Sequence, residues 1–232
     1  MTRSELLERA KPILFNTEMV RAILGGRKTV TRRVLKNQDP KCAVDYDYVY
    51  STDGIAHEID LICDVGNNVL EAMVNKIPYF VGDILYVRET WCKGNFRGEE
   101  ERYYYRADNK IPHCEWHPSI HMPKEAARIF LRVKKISAEQ LQDSFFKSGS
   151  TIFALLEEGV DIGEQCRECI DTYGSPCCID DESECGTLDE VRSDYSDLWN
   201  STVKKSDLAK YGWNANPWVR VIEFERVEVG DD

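Results

Sequence analysis

Apolar and polar positions along the chain fall mostly into short strand-like runs, with few helical stripes. "KPILF" (Lys11 to Phe15) predicts a short buried strand. Asn16 follows as a helix N-cap, with Glu18 in the first turn where a carboxylate favours the helix dipole. Met19, Val20, Ile23 and Leu24 make an apolar stripe at helical spacing. Gly25 and Gly26 end that helix, because glycine takes the left-handed conformation at a C-cap without steric penalty. The chain then runs into strand-like "TVTRRVL".

Residues 37–80 are mixed and predict a hairpin with an excursion around "DVGNN". In "VGDILYVRETW" a Gly-Asp turn feeds a β-rich segment ending in Glu89 and Trp91, and "RYYYR" (Arg102 to Arg106) reads as another strand. "WHPSIHMP" is a proline-bounded loop and "ARIFLRVKKI" (Ala127 to Ile136) a strand. "SAEQLQDS" predicts a helix start, with Ser137 as cap and Gln140 at the capping-box position. From 159 to 195 the pattern lapses into an acidic, cysteine-bearing insertion, after which "YGWNANPWVRVIEFERVEV" reads as an aromatic turn and a strand. Many short strands and few helices predict an α+β fold, a small β-barrel with peripheral helices, as one domain over 1–232.

Charge changes the picture in one respect. The chain has 232 residues and a formal charge of −11, but residues 157–197 hold fourteen Asp/Glu against two Arg. That segment sets the total, and residues 1–41 are basic, with ten Lys/Arg against four Asp/Glu. Acidity therefore does not exclude nucleic acid, and no long basic face argues for it. A hydrophobic fraction of 42% supports a core and excludes wholesale disorder. No apolar run suits a membrane span, and "MTRSELLERAKPILF" lacks the h-region of a secretory signal. The expected setting is cytoplasmic and reducing, where nine cysteines point to free thiols or metal ligands rather than a disulfide framework.

The densest chemistry lies in "GRKTVTRR" (Gly26 to Arg33), four cations and two threonines in eight residues. A threonine hydroxyl needs a base to become nucleophilic, and a lysine serves as that base only when its pKa falls well below about 10.4. Burial and nearby cations lower it, while a carboxylate such as Glu89 could orient the amine or relay a proton. The plainer alternative is a solvated strand whose arginines meet carboxylates at about 0–1 kcal/mol per exposed pair.

Gly26, Lys28, Thr31 and Arg33 match the G-x-K-x-x-T-x-R signature of the ASCH family, and with "GDILYVRETW", "WHPSIHMP" and "YGWNANPWVRVIEFERV" the chain resembles that family. The likeness is greatest to the longer bacteriophage- and prophage-encoded members, some labelled morphogenetic proteins, and would place the chain in a host cytoplasm. It implies a PUA-like barrel. From a subset of smaller members it implies an amidohydrolase site acting on acylated cytidine, with Lys28 as general base, Thr31 as nucleophile and Glu89 as acidic partner. Gly26, Arg33 and Trp91 would bind substrate, and catalysis would need no cofactor. Two other readings stay open: a non-catalytic module or ribonuclease taking single-stranded RNA or a modified base, and a phage assembly protein whose acidic insertion meets a partner. For RNA, Trp91, Trp116 and Tyr103 to Tyr105 offer stacking faces, although alternation along a strand turns at least one tyrosine inward.

Cys166 and Cys169 form a C-x-x-C pair, followed by Cys177, Cys178 and Cys185. Four of these thiolates could hold a structural zinc, which would fold the insertion and leave no open position for catalysis. The alternative is an acidic loop with reduced thiols. His113, His117 and His121 are spaced by four, but Pro112, Pro118 and Pro123 argue against the helix that would align them.

Overall fold

A computed structural model describes residues 1–36, 38, 49–50, 58–64, 70–76, 78–95, 100–108, 114–143, 155–160, 172 and 188–230; only the backbone is described at 49–50, 58–64, 70–76 and 188–191. The fold is α+β. Its strands are β1 (Lys11–Leu14), β2 (Val30–Val34), β3 (Val49–Tyr50), β4 (Glu58–Asp64), β5 (Leu70–Lys76), β6 (Ile84–Arg88), β7 (Trp91–Gly94), β8 (Arg102–Tyr105), β9 (Phe130–Gln140) and β10 (Trp218–Val227). The helices are α1 (Arg3–Arg9), α2 (Thr17–Leu24), α3 (Leu188–Thr202) and α4 (Leu208–Tyr211). A five-stranded sheet runs β1-β6-β9-β10-β2, a three-stranded sheet β3-β4-β5, and β7 pairs with β8.

The chain divides into two compact units: Met1–Thr29, Tyr79–Ile136 and Ile222–Asp232 in the first, Val30–Pro78 and Ser137–Val221 in the second. In the first unit β6 lies between parallel β1 and antiparallel β9. Its alternate residues serve two cores. Leu85 and Val87 join Ile13, Phe15, Val20 and Ile23, whereas Ile84 and Tyr86 join Leu6, Met122, Ala126 and Phe130. The turn into β6 is held by Asp83, whose carboxylate accepts from the Phe80 N–H at 2.7 Å and pairs with Lys11, while Gly82 takes φ 90. α1 is capped reciprocally by Thr2 and Glu5.

In the second unit the core gathers Val30, Leu141, Leu155, Tyr195, Trp199, Val219 and Val221. Gln38 closes it by donating to the Leu35 and Trp218 carbonyls and accepting from the Trp218 N–H at 2.7 Å. β4 and β5 form the hairpin expected within 37–80, with Asp60 opposite Val74.

Two expectations are corrected. Ser137–Gln140 do not begin a helix but continue β9. The capping signature is local, and it loses to tertiary pairing: Arg32 takes the Glu139 carboxylate, and the Leu141 N–H donates to the Pro217 carbonyl at 2.9 Å. The acidic stretch also does not stay irregular as far as 195, because α3 starts at Leu188 and buries Tyr195 and Trp199. Among the described residues no helix is long and apolar enough to cross a membrane.

Candidate functional site

The end of α2 sets the position of Lys28. The Arg27 N–H reaches back to the Ala22 carbonyl at 2.9 Å and the Gly26 N–H to that of Ile23 at 3.1 Å, a Schellman closure with Gly26 left-handed at φ 73. The Lys28 N–H adds a second bond to the Ala22 carbonyl at 3.1 Å. Gly26 therefore has a backbone role that any side chain would strain. The chain turns inward at this point: Gly25, Gly26 and Thr29 are exposed, but Lys28 is only 2% exposed. Its Nζ lies 5.9 Å from the centroid of the buried Phe15 ring.

Phe15 in turn leads to Glu89. Its N–H donates to the Arg88 carbonyl at 3.1 Å, continuing the β1–β6 register in which Leu14 faces Arg88. Glu89 occupies the break between β6 and β7, and is 1% exposed. Its backbone N–H points at the Met122 sulfur, 3.2 Å away, and Arg88 fastens the break by donating to the Met122 and Ile120 carbonyls. Lys28 and Glu89 both belong to the first unit, in which Phe15 sets its ring near the Lys28 amine and its N–H on the carbonyl of Arg88, the residue before Glu89.

The carboxylate of Glu89 is met by Arg128, a residue the sequence reading did not single out. Nε donates to Oε1 at 2.9 Å and Nη2 to Oε2 at 3.0 Å, while Nη1 reaches both oxygens of Asp108 at 2.9 and 2.8 Å. The guanidinium lies 3.9 Å from the centroid of the Tyr105 ring. Tyr105 donates its hydroxyl to the Ala126 carbonyl at 2.6 Å. Burial raises the Glu89 carboxyl above its ordinary value; the Arg128 hydrogen bonds and charge work against this, but burial prevails. Burial likewise pushes the Tyr105 phenol up to about 12. The result is a dehydrated carboxyl fixed in orientation, chemically suited to hold or exchange a proton.

Beyond Glu89, Trp91 is half-buried against His117 (4.9 Å between centroids) and Tyr103 (5.7 Å), and its Nε1–H is buried without a hydrogen-bond partner. Tyr104 is the inward member of the tyrosine trio. Cys92 and Cys114 form a disulfide beside the Trp91–His117 bridge, with Cα atoms 6.4 Å apart. This pair departs from the expectation of reduced thiols.

Thr31, Arg32 and Arg33 belong to the second unit. Thr31 is buried and Arg33 half-buried. Arg32 donates to Glu139 at 2.8 Å and to Glu158 at 2.7 Å, so this part of the octet meets one carboxylate in the interior and one at its partly exposed edge. The candidate zinc ligands Cys166, Cys169, Cys177, Cys178 and Cys185 lie outside the described residues, as does His113. Among the described residues no group of three or more His, Cys, Asp or Glu is arranged to hold a metal.

No family model, curated protein or solved structure matches the chain. The site is therefore read from its own chemistry. One signal in the sequence could have found Arg128: it is a lone charge in the run "AARIFL", where every neighbour is apolar. A permanent cation placed among core residues needs a buried partner.

Proposed function

We propose that the protein binds a nucleoside or nucleotide at Lys28 and Glu89, and hydrolyses an acyl amide on the exocyclic amine of cytidine. The observation that carries this reading is the near-complete burial, within one unit, of an amine and a carboxylate. Dehydrated ionisable groups cost stability, and they concentrate where proton transfer is needed. The raised Glu89 carboxyl suits the acidic partner, and Lys28 suits the base that activates a hydroxyl. Thr31, the nucleophile implied by the ASCH resemblance, follows Lys28 by three positions in the chain. A PUA-like barrel belongs to the same proposal; the mixed five-stranded sheet, with its parallel β1–β6 pair, supports it.

Acetylcytidine turnover followed by absorbance tests the reaction. Wild type should release cytidine, while Lys28→Ala, Thr31→Ala and Glu89→Gln should each lower kcat/KM by about 10²-fold or more. Absent turnover by wild type, or unchanged rates in Lys28→Ala and Thr31→Ala, removes the enzymatic claim.

The aromatic group around Trp91 favours a second reading, in which a base stacks there and an RNA strand is held without chemistry. Phosphate contacts would make affinity fall steeply with salt, whereas a neutral nucleoside would bind almost independently of it.

A further inference from the structure

We propose that Arg128 is the positioning residue of Glu89, a two-pronged clamp that fixes the direction of its carboxylate and keeps it ionisable in a dehydrated setting. The inference deepens the functional reading above and rests on it for the role of Glu89 as acidic partner.

The geometry favours this role over the usual alternative, an arginine that binds the ligand. All three guanidinium nitrogens are engaged, Nε and Nη2 with Glu89 and Nη1 with both oxygens of Asp108. One face is covered by Tyr105, whose own hydroxyl is anchored to the Ala126 carbonyl. Both oxygens of Glu89 receive a donor, so the carboxylate cannot rotate without breaking a charge-assisted bond. Two charged groups bear directly on the Glu89 proton. Arg128 favours the carboxylate and Asp108 opposes it; Tyr105 stays neutral below about pH 12, with Arg3 acting on it from beyond. The Lys28 amine lies over the Phe15 ring, 5.9 Å from its centroid. A guanidinium is suited to this task because it keeps its charge and its fork matches a carboxylate, whereas an ammonium is a point charge.

The test is a ¹³C NMR titration of the Glu89 carboxyl in the full chain, assigned by the signal lost in Glu89→Gln. Removing the clamp in Arg128→Met should raise the midpoint by about 1–3 units relative to wild type. Arg128→Lys restores the charge without the fork and should fall between the two. Equal midpoints in wild type and Arg128→Met overturn the proposal. Should Arg128→Met fail to fold, Arg128→Lys decides alone: a raised midpoint supports the clamp, and an unchanged one overturns it. In turnover assays the acidic limb of kcat/KM should move up by the same shift with KM little changed. A shifted Glu89 midpoint in a protein with no acetylcytidine turnover would uphold the clamp while removing the enzymatic reading.

Discussion

Each unit holds an arginine between two carboxylates, and the clusters differ in which member is sealed from water. In the second unit the side chains of Arg32 and Glu158 are 5% and 4% exposed, and Glu139 forms the wetter edge. In the first unit the carboxylate is sealed, with Glu89 at 1%, while Arg128 retains 27% exposure. The electrostatic outcomes diverge accordingly. Burial opposes the Arg32 charge, but Glu158, Tyr195 and Glu139 outweigh it and hold the guanidinium charged beyond its ordinary range. Burial also drives the Tyr195 phenol well above its usual value. The Arg32 guanidinium is thereby held charged and the Tyr195 phenol neutral. In the first unit burial outweighs Arg128 and raises the carboxyl, so one member has been made easier to protonate. The second unit's cluster seals its cation with a carboxylate partner; the first unit's, on which the proposed site rests, seals its carboxylate under a partly exposed cation.

The contrast predicts its largest effect in the second unit. Arg32→Met leaves Glu158 buried and without this guanidinium, and should cost about 3–5 kcal/mol of unfolding free energy in urea titrations. Replacing the cluster together, as Arg32→Met with Glu158→Leu and Glu139→Gln, should recover much of that loss, because no uncompensated charge remains. A single substitution costing under about 1 kcal/mol would put Arg32 among solvated pairs and erase the difference between the clusters.

Particular residues show what was legible in the sequence. Asn16 as cap, the stripe from Met19 to Leu24 and the two closing glycines are all local signals, and α2 follows them directly. Strand alternation alone turns at least one of Tyr103 to Tyr105 inward, and the buried one is Tyr104. The Thr2–Glu5 capping box that starts α1 is an equally local signal. Long-range pairing was not legible. Arg128 lies 39 positions from Glu89, and Arg32 lies 107 and 126 positions from its two carboxylates. No periodicity encodes such separations, so Glu89 could be nominated but its clamp could not. Ser137–Gln140 failed for the same reason, since the strand pairing that overrides its helix signal comes from elsewhere in the chain.

Glu89 gives a subtler prediction, read from pH. Because burial raises its folded value above the ordinary 4.5, the folded state binds the extra proton between those two values. Stability is then fully present below about 4.5 and falls as pH rises through the folded value. Urea midpoints at stepped pH should show this decline in wild type and its loss in Glu89→Gln. In Arg128→Met the decline should extend to higher pH. Stability rising through the window in wild type would mean that Arg128 outweighs burial, and the clusters would then be alike.

The smallest expected effect separates the Tyr105 ring from its hydroxyl. Tyr105→Phe keeps the face under Arg128 and removes the bond to the Ala126 carbonyl, so it should cost about 0.5–1.5 kcal/mol. The wild-type phenol is raised from 10 to about 12, so its contribution is fully present below pH 10 and fades as pH rises through 12. Tyr105→Phe should abolish that alkaline decline and leave the Glu89 midpoint where wild type has it, because the guanidinium still rests on an aromatic face. An upward shift of the Glu89 midpoint in Tyr105→Phe would show that the anchored hydroxyl, rather than the ring, holds Arg128 in place. The clamp would then depend on the Ala126 carbonyl, and the boundary between site and scaffold in the first unit would have to be drawn one residue further out.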